Sequence, residues 1–212
     1  MSAGPSGRCG ASIVAPVANP TTLTRGGMRS ARLLAVGTSL RIVLTPVVMA
    51  LVIADGGELG DGVVLATVLF CLAAATDWVD GRLARAWNVT TKLGSFLDTT
   101  ADKLLVSGVL IALLTVDRAS PWIVGLIIGR ELVIMALRGV VAADGAVMSP
   151  SSLGKLKTSV QFLAITLAIL RPGAPVGGQY ADEWVMLAAA AITVVSAVDY
   201  LARAAPALTA RD

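Results

Sequence analysis

Six long apolar stretches constrain this chain more than any other feature of its sequence. A helix that crosses a lipid bilayer needs about 20 mostly apolar residues. Six segments approach that length, near residues 33–54, 62–80, 99–117, 121–143, 153–170 and 184–204. Hydrophobic residues make up 56% of the chain and charged residues only 15%, a balance unlike that of ordinary soluble domains. The sequence therefore predicts an all-α, polytopic membrane protein with six transmembrane helices.

The segments that flank these stretches predict the domain boundaries. Residues 1–32 are rich in Gly, Ser, Pro and Arg and lack an apolar core long enough for a signal peptide, so we expect a disordered, basic cytoplasmic tail. Residues 33–205 form the predicted six-span domain, and residues 206–212 form a short cytoplasmic tail. Cys9 and Cys71 lie in such different settings that we expect no disulfide between them.

The distribution of basic residues predicts the orientation in the membrane. If the chain starts inside, only Arg118 and Arg171 of the 17 Lys and Arg residues fall in outer loops. Both termini are then cytoplasmic, as are the loops that follow the second and fourth spans. We expect a multi-pass protein of the inner (cytoplasmic) membrane whose unusual residues face the cytoplasm.

Four aspartates are the strongest sign of chemistry. Asp77 and Asp80 are three residues apart and Asp98 and Asp102 are four apart, so each pair shares one face of a helix. If the two helix ends meet, the four carboxylates repel one another unless cations neutralise them. All-oxygen ligation favours Mg²⁺ or Mn²⁺, and such ions bridge the oxygens of a pyrophosphate substrate. Because the chain contains no histidine, proton transfer falls to carboxylates.

Small residues and an arginine accompany the aspartates. Gly81, Ala84 and Gly94 leave surfaces where a nucleotide can approach the backbone. Arg85 supplies a guanidinium for phosphate. A single charged residue at the end of a span is often only a solvated cap. The joint occurrence of these residues at fixed spacing favours a functional motif.

The spacing of the whole segment resembles a known family motif. Asp77-x2-Asp80-Gly81-x2-Ala84-Arg85-x8-Gly94-x3-Asp98-x3-Asp102 is similar at every fixed position to the motif of the CDP-alcohol phosphotransferases, a family of six-span membrane enzymes. The resemblance implies CDP-diacylglycerol as a substrate, direct displacement without a covalent intermediate, and a homodimer. It implies two bound ions, Mg²⁺ or Mn²⁺, with Asp102 as both ligand and general base. The implied metal ligands are Asp77, Asp80, Asp98 and Asp102. The residues implied to bind the CDP moiety are Gly81, Ala84, Arg85 and Gly94.

Basic residues on later spans bear on the identity of the acceptor alcohol. Arg130 and Arg138 are separated by about 80° around one helix, so both can face a single cavity. Charge at that depth is costly, which favours function, although Glu131 offers either arginine a structural ion pair. Lys155 and Lys157 point to different sides of the fifth span, and we assign Lys155 to the cavity. Such a cluster of cations suits a phosphorylated acceptor.

Longer stretches resemble the branch of the family that uses sn-glycerol 3-phosphate. They are residues 87–98, 101–103, 129–132, 136–138, 153–158 and 199–201, together with Gln161. Thr38 and Arg41 also match this branch and are implied to bind the acceptor phosphate with Arg130, Arg138 and Lys155. Thr99 stands where the branch usually has proline, and residues 32–35 replace its usual Asn-x-Pro-Asn. We expect Thr99 to start a helix, with its hydroxyl capping neighbouring amides.

Other functions are compatible with the residues alone. Within the family, the acceptor can also be phosphatidylglycerol, inositol phosphate or serine. From a different class, a cation transporter also places carboxylates on spans, although it would more often set them near the bilayer midplane on broken helices. We expect membrane lipids as partners and no nucleic acid.

Overall fold

The structure is a computed structural model that describes residues 25–56, 60–87, 92–143, 152–173, 175 and 178–209. Its side chains are described within these ranges except at residues 25–35, 77–81, 83–87, 92–95, 143, 152 and 204–209. All six elements of this part of the chain are α-helices. They are α1 (Arg25–Ala54), α2 (Asp61–Trp87), α3 (Lys92–Thr115), α4 (Pro121–Ala143), α5 (Ser152–Leu170) and α6 (Ala181–Thr209).

Each predicted span overlaps one helix, but several helices extend beyond the apolar stretch. α1 begins at Arg25 and so includes residues 25–32, which the sequence assigned to the tail, and α6 continues to Thr209. α3 begins at Lys92, so Thr99 lies inside this helix and the expectation that Thr99 starts a helix is wrong. Apolar length sets how much of a helix suits lipid, whereas helical hydrogen bonding continues wherever the backbone permits it. The predicted tail over residues 1–24 lies outside the described residues.

Within the part of the chain that the structure describes, three helical segments are long and apolar enough to cross a membrane: Val36–Ala54, Leu153–Leu170 and Ala181–Arg203. Only 28% to 33% of each segment is buried in the protein, so most of its apolar surface is available to lipid. α2 contributes a shorter apolar segment, Asp61–Thr76. The apolar parts of α3 and α4 are interrupted by charges, which are Asp98, Asp102, Lys103, Arg130, Glu131 and Arg138. The fold is thus a helical membrane protein, and the count of six spans stays a prediction.

The helices pack in two groups, α1–α3 and α4–α6, which meet where α2 contacts α5 and where α3 contacts α4 and α5. α1 packs against both α2 and α3, while α6 packs against both α4 and α5. α2 contacts α5, and the rings of Phe70 and Phe162 lie 5.3 Å apart at this junction. The largest fully buried apolar side chains include Leu105, Leu110 and Ile165. α3 and α5 run in the same direction, since Lys103 in α3 and Lys157 near the start of α5 both meet Glu131, and Arg118, just after α3, contacts the last carbonyls of α5.

A glycine sets the close approach of α1 to α3. A Cβ atom at Gly108 would lie 2.7 Å from Thr45 Cγ2 and 2.9 Å from Met49 Sδ, both on α1. These distances are too short for real carbon contacts, so the helices pack this tightly only because the side chain is absent. Thr45 also donates a hydrogen bond to the carbonyl of Arg41, one turn earlier on α1. The contact therefore fixes the part of α1 that reaches the predicted carboxylate cluster.

Candidate active site

Asp98 on α3 is held by two side chains from α1. Arg41 Nη1 donates to Asp98 Oδ1 at 2.7 Å, and Thr38 Oγ1 donates to the same oxygen at 3.3 Å. The Arg41 side chain is 1% exposed, whereas that of Asp98 is 40% exposed. A buried guanidinium thus supports a carboxylate that is open to a ligand. The sequence assigned Thr38 and Arg41 to the acceptor phosphate, but the structure places both against a predicted metal ligand.

Asp102 lies one helical turn after Asp98 and shares its face of α3, as the spacing predicts. Its Oδ2 accepts a hydrogen bond from Lys103 Nζ at 2.8 Å. The same ammonium lies 2.9 Å from Glu131 Oε2 on α4. Lys103 therefore links the predicted general base to a second helix.

The described part of the predicted metal site fits a hard divalent cation. Asp98 and Asp102 supply only oxygen donors, their side chains are 40% and 18% exposed, and the ion pairs occupy one oxygen of each. Asp77 and Asp80 lie on the α2 backbone, but their side chains lie outside the described residues. The described residues alone contain no group of three or more potential ligands. The four-carboxylate site stays a prediction, and the structure describes the side chains of two of its four members, Asp98 and Asp102.

The predicted nucleotide-binding residues are placed only by their backbone. Gly81, Ala84 and Arg85 belong to the last turns of α2, and Gly94 belongs to the first turn of α3. Their side-chain environments, including the Arg85 guanidinium, lie outside the described residues. Their role in binding the CDP moiety therefore stays a prediction.

A cluster of cations surrounds Glu131, whose side chain is only 4% exposed. Lys157 Nζ on α5 pairs with Glu131 Oε1, and Arg130 Nη1 lies 3.3 Å from the same oxygen. Lys103 pairs with the other oxygen. Arg130 also donates to Ser196 Oγ on α6 at 3.1 Å. The cluster joins four helices beside Asp102.

The structure sorts the predicted acceptor residues differently from the sequence. Arg130 belongs to the cluster, whereas Arg138 and Lys155 are exposed. Lys155 and Lys157 do point to different sides of α5, as predicted, but Lys157 is the buried member and pairs with Glu131. The assignment of Arg138 and Lys155 to the acceptor stays a prediction.

Sequence reasoning missed Lys103, Lys157 and Ser196 as neighbours of the predicted site. The only signal for Lys103 was its position beside Asp102, and alternation alone could not choose between two lysines on α5. Ser196 carried no signal, because an isolated serine on an apolar helix has no pattern. These contacts depend on which faces of α3, α4, α5 and α6 meet.

The opposite end of the bundle holds a second polar cluster. Arg118, between α3 and α4, donates to the carbonyls of Ala168 at 3.2 Å and of Ile169 at the end of α5. Burial lowers the pKa of the Arg118 guanidinium, and repulsion from Arg171 lowers it further. A pocket of about 300 Å³ lies beside these two arginines.

Arg171 connects α5 to α6 at this end. Its Nε lies 3.3 Å from Asp182 Oδ2 and its Nη2 lies 3.1 Å from Glu183 Oε1, in the first turn of α6. Its guanidinium carbon lies 4.5 Å from the centre of the Tyr180 ring. Carboxylates at a helix N-terminus are stabilised by the helix dipole. The cluster therefore fastens helix ends together.

Comparison with known proteins places the chain in a family. The family model for CDP-alcohol phosphatidyltransferases matches residues 34–195. This range contains every described residue of the carboxylate and cation clusters except Ser196. The chain belongs to the CDP-alcohol phosphatidyltransferase family, as its aspartate motif predicts.

Individual relatives are similar over most of their length. A CDP-diacylglycerol–glycerol-3-phosphate 3-phosphatidyltransferase of Bacillus subtilis (strain 168) is 41% identical over 78% of this chain and 91% of its own. A probable phosphatidylglycerophosphate synthase of Mycobacterium tuberculosis (strain ATCC 25618 / H37Rv) is 39% identical over 90% of each chain. A CDP-diacylglycerol–glycerol-3-phosphate 3-phosphatidyltransferase of Escherichia coli (strain K12) is 40% identical over 66% of this chain and 78% of its own.

Proposed function

We propose that this protein transfers the phosphatidyl group of CDP-diacylglycerol to sn-glycerol 3-phosphate, which yields phosphatidylglycerophosphate and CMP. The observation that carries a phosphorylated acceptor is the cation cluster of Lys103, Arg130 and Lys157 beside Asp102. A phosphorylated alcohol needs such cations, whereas serine needs fewer. The names of the relatives, which match most of the chain, support the same acceptor.

The proposed reaction is an in-line displacement at one phosphorus atom. Asp102 accepts the proton of the acceptor hydroxyl, whose oxygen then bonds to the phosphorus that carries diacylglycerol. The bond from that phosphorus to the CMP oxygen breaks, and CMP leaves. Arg41 and Thr38 keep the Asp98 carboxylate oriented during these steps. Lys103 holds the Asp102 carboxylate toward the cation cluster.

The carboxylates would hold the divalent ions that the family resemblance implies. The proposed ligands are Asp77, Asp80, Asp98 and Asp102. Two Mg²⁺ or Mn²⁺ ions held there would supply positive charge to neutralise the pyrophosphate and the departing CMP. Gly81, Ala84, Arg85 and Gly94 are proposed to bind the CDP moiety, since they lie on the helix ends next to the carboxylates.

The proposed setting is the inner membrane, with six spans and with the active site and both termini at the cytoplasmic face. The basic residues of the sequence support this orientation.

A variant with Cys9→Ser and Cys71→Ser provides a background in which single cysteines replace Asp117 or Lys155 to test the orientation. A membrane-impermeant maleimide should label Lys155→Cys from the cytoplasmic side and Asp117→Cys from the outside. Labelling of both from one side would contradict the orientation. We also propose a homodimer, which cross-linking in native membranes would test.

A substrate panel tests the function most directly. Purified protein is incubated with CDP-diacylglycerol, Mg²⁺ and each labelled acceptor in turn: glycerol 3-phosphate, phosphatidylglycerol, inositol phosphate and serine. We expect phosphatidylglycerophosphate and equimolar CMP only with glycerol 3-phosphate. A product with another acceptor but none with glycerol 3-phosphate would replace the proposed acceptor. Failure to release CMP with any acceptor would favour the cation transporter.

A further inference from the structure

Glu131 has more cationic partners than a structural ion pair requires. Its buried carboxylate contacts Lys103, Arg130 and Lys157, which come from α3, α4 and α5. One carboxylate neutralises one cation, so the group retains surplus positive charge. Burying unmatched charge among apolar helices is costly. The surplus therefore points to an anion that completes the site.

The second carboxylate of the cluster does not remove this surplus. Asp102 shares Lys103 with Glu131, so three cations face two carboxylates among the side chains that the structure describes. If Asp102 also binds a divalent ion, the carboxylate neutralises even less of the charge on Lys103. A phosphate dianion matches the resulting field.

We propose that Glu131 is the positioning residue of the acceptor site. Its carboxylate holds Lys103, Arg130 and Lys157 at one point, so that their surplus charge receives the phosphate of the acceptor beside Asp102. This inference rests on the proposed function and adds how the acceptor is held. Because Lys103 contacts both carboxylates, Glu131 also fixes the distance from the bound phosphate to the proposed general base.

The opposite end of the bundle supplies a matched control. Glu183 is also a glutamate that pairs with an arginine, Arg171, but it lies at the far end of the helices, where Arg171 also pairs with Asp182. Glu131→Gln and Glu183→Gln make the same chemical change in the two clusters. Glu131→Asp keeps the charge and shortens the side chain by one methylene. The four proteins, wild type included, are compared in detergent for kcat, for KM of each substrate and for Tm.

In Glu131→Gln, we expect the KM for glycerol 3-phosphate to rise about tenfold, because the cations lose their common anchor. The KM for CDP-diacylglycerol should stay within about twofold, since its proposed site lies on α2 and α3. Glu131→Asp should restore part of the affinity for glycerol 3-phosphate. Glu183→Gln should leave both KM values unchanged.

The combination of Glu131→Gln with Lys157→Gln separates positioning from simple charge balance. It removes one charge of each sign, so it protects the fold if Glu131→Gln alone does not fold. We expect the KM for glycerol 3-phosphate to stay raised, because a cation and the anchor are both gone. A return to the wild-type KM would mean that Glu131 only neutralises Lys157 and would overturn the inference.

Three further outcomes distinguish this inference from the proposed function. If the wild type is active and Glu131→Gln has an unchanged or lower KM for glycerol 3-phosphate, the inference is overturned but the proposed function is not. Equal increases in both KM values, accompanied by a lower Tm, would do the same by indicating a general structural role. Wild type without activity on glycerol 3-phosphate would instead overturn the proposed function, and the inference with it.

Discussion

The two ends of the helix bundle both contain charged clusters, yet they arrange charge differently. At one end, Arg118 and Arg171 contact the last carbonyls of α5 and the acidic first turn of α6. At the other end, the buried Arg41 guanidinium pairs with the partly exposed Asp98 carboxylate, and three cations contact Glu131. The charges of the first cluster form hydrogen bonds and ion pairs with groups at the ends of helices. The second leaves exposed carboxylate oxygen and surplus positive charge.

This difference indicates which buried charges serve stability and which serve chemistry. Charges that stabilise are best balanced within the protein, because an unmatched charge in apolar surroundings has no compensation. Charges that bind substrate or metal are balanced only when the ligand is present, so the free protein carries their cost. Substitutions at the end of the bundle that holds Asp98, Asp102 and Glu131 should therefore reduce activity more than stability. Substitutions at the end that holds Arg118 and Arg171 should reduce stability more than activity.

The largest expected effect follows replacement of the proposed general base. Asp102→Asn should reduce CMP release by about 10²–10⁴-fold, because an amide cannot accept the proton of the acceptor. CDP binding, measured by calorimetry, should persist. Asp117→Asn is the matched control, since Asp117 is exposed at the opposite end and asparagine tolerates its positive φ of 55°. Full activity of Asp102→Asn would exclude Asp102 as the base.

A smaller loss is expected when the support of Asp98 is altered. Arg41→Lys keeps the charge but not the geometry of the guanidinium that donates to Asp98 Oδ1. The concentration of Mg²⁺ needed for half-maximal activity should rise about 10–100-fold. Binding of Mn²⁺ followed by electron paramagnetic resonance should weaken in parallel. Arg203→Lys changes an exposed arginine paired with Asp199 and should have no such effect. An unchanged Mg²⁺ requirement in Arg41→Lys would show that Asp98 does not depend on Arg41.

At the opposite end, we expect a loss of stability without a loss of catalysis. Arg118→Gln removes charged donors to the carbonyls at the end of α5. The free energy of unfolding should fall by about 1–3 kcal/mol, seen as a lower Tm in detergent. The kcat per folded molecule should not change. A strong decrease in kcat without a change in Tm would contradict the distinction between the two ends.

The smallest expected effect concerns the contact that aligns α1 with α3. Gly108→Ala introduces a Cβ against Thr45 and Met49 and should destabilise the protein by about 1 kcal/mol through overpacking. Gly125→Ala on α4 has open space around its Cβ and should maintain or raise Tm through better helix propensity. Equal Tm changes in the two variants would show that α1 and α3 readjust without cost.

The sequence predicted the helices and the shared face of Asp98 and Asp102, because apolar length and helical spacing are local properties. It did not predict that Arg41 and Thr38 contact Asp98, some 57 and 60 residues away along the chain. It also chose Lys155 over Lys157 for the cavity, whereas Lys157 is the one that pairs with the buried Glu131. Helical spacing predicts that the two lysines point in different directions. It does not predict which of the two faces a neighbouring helix.

The sequence by itself determined the class of fold, the family and the order of the aspartates, since each is written in local pattern and spacing. Only the tertiary structure decided which charges share partners. Lys103 joins Asp102 to Glu131 because α3 and α4 meet at that level, and Arg130 reaches Ser196 because α4 packs on α6. These contacts depend on the rotation and depth of whole helices, which are set by side-chain packing such as that at Gly108.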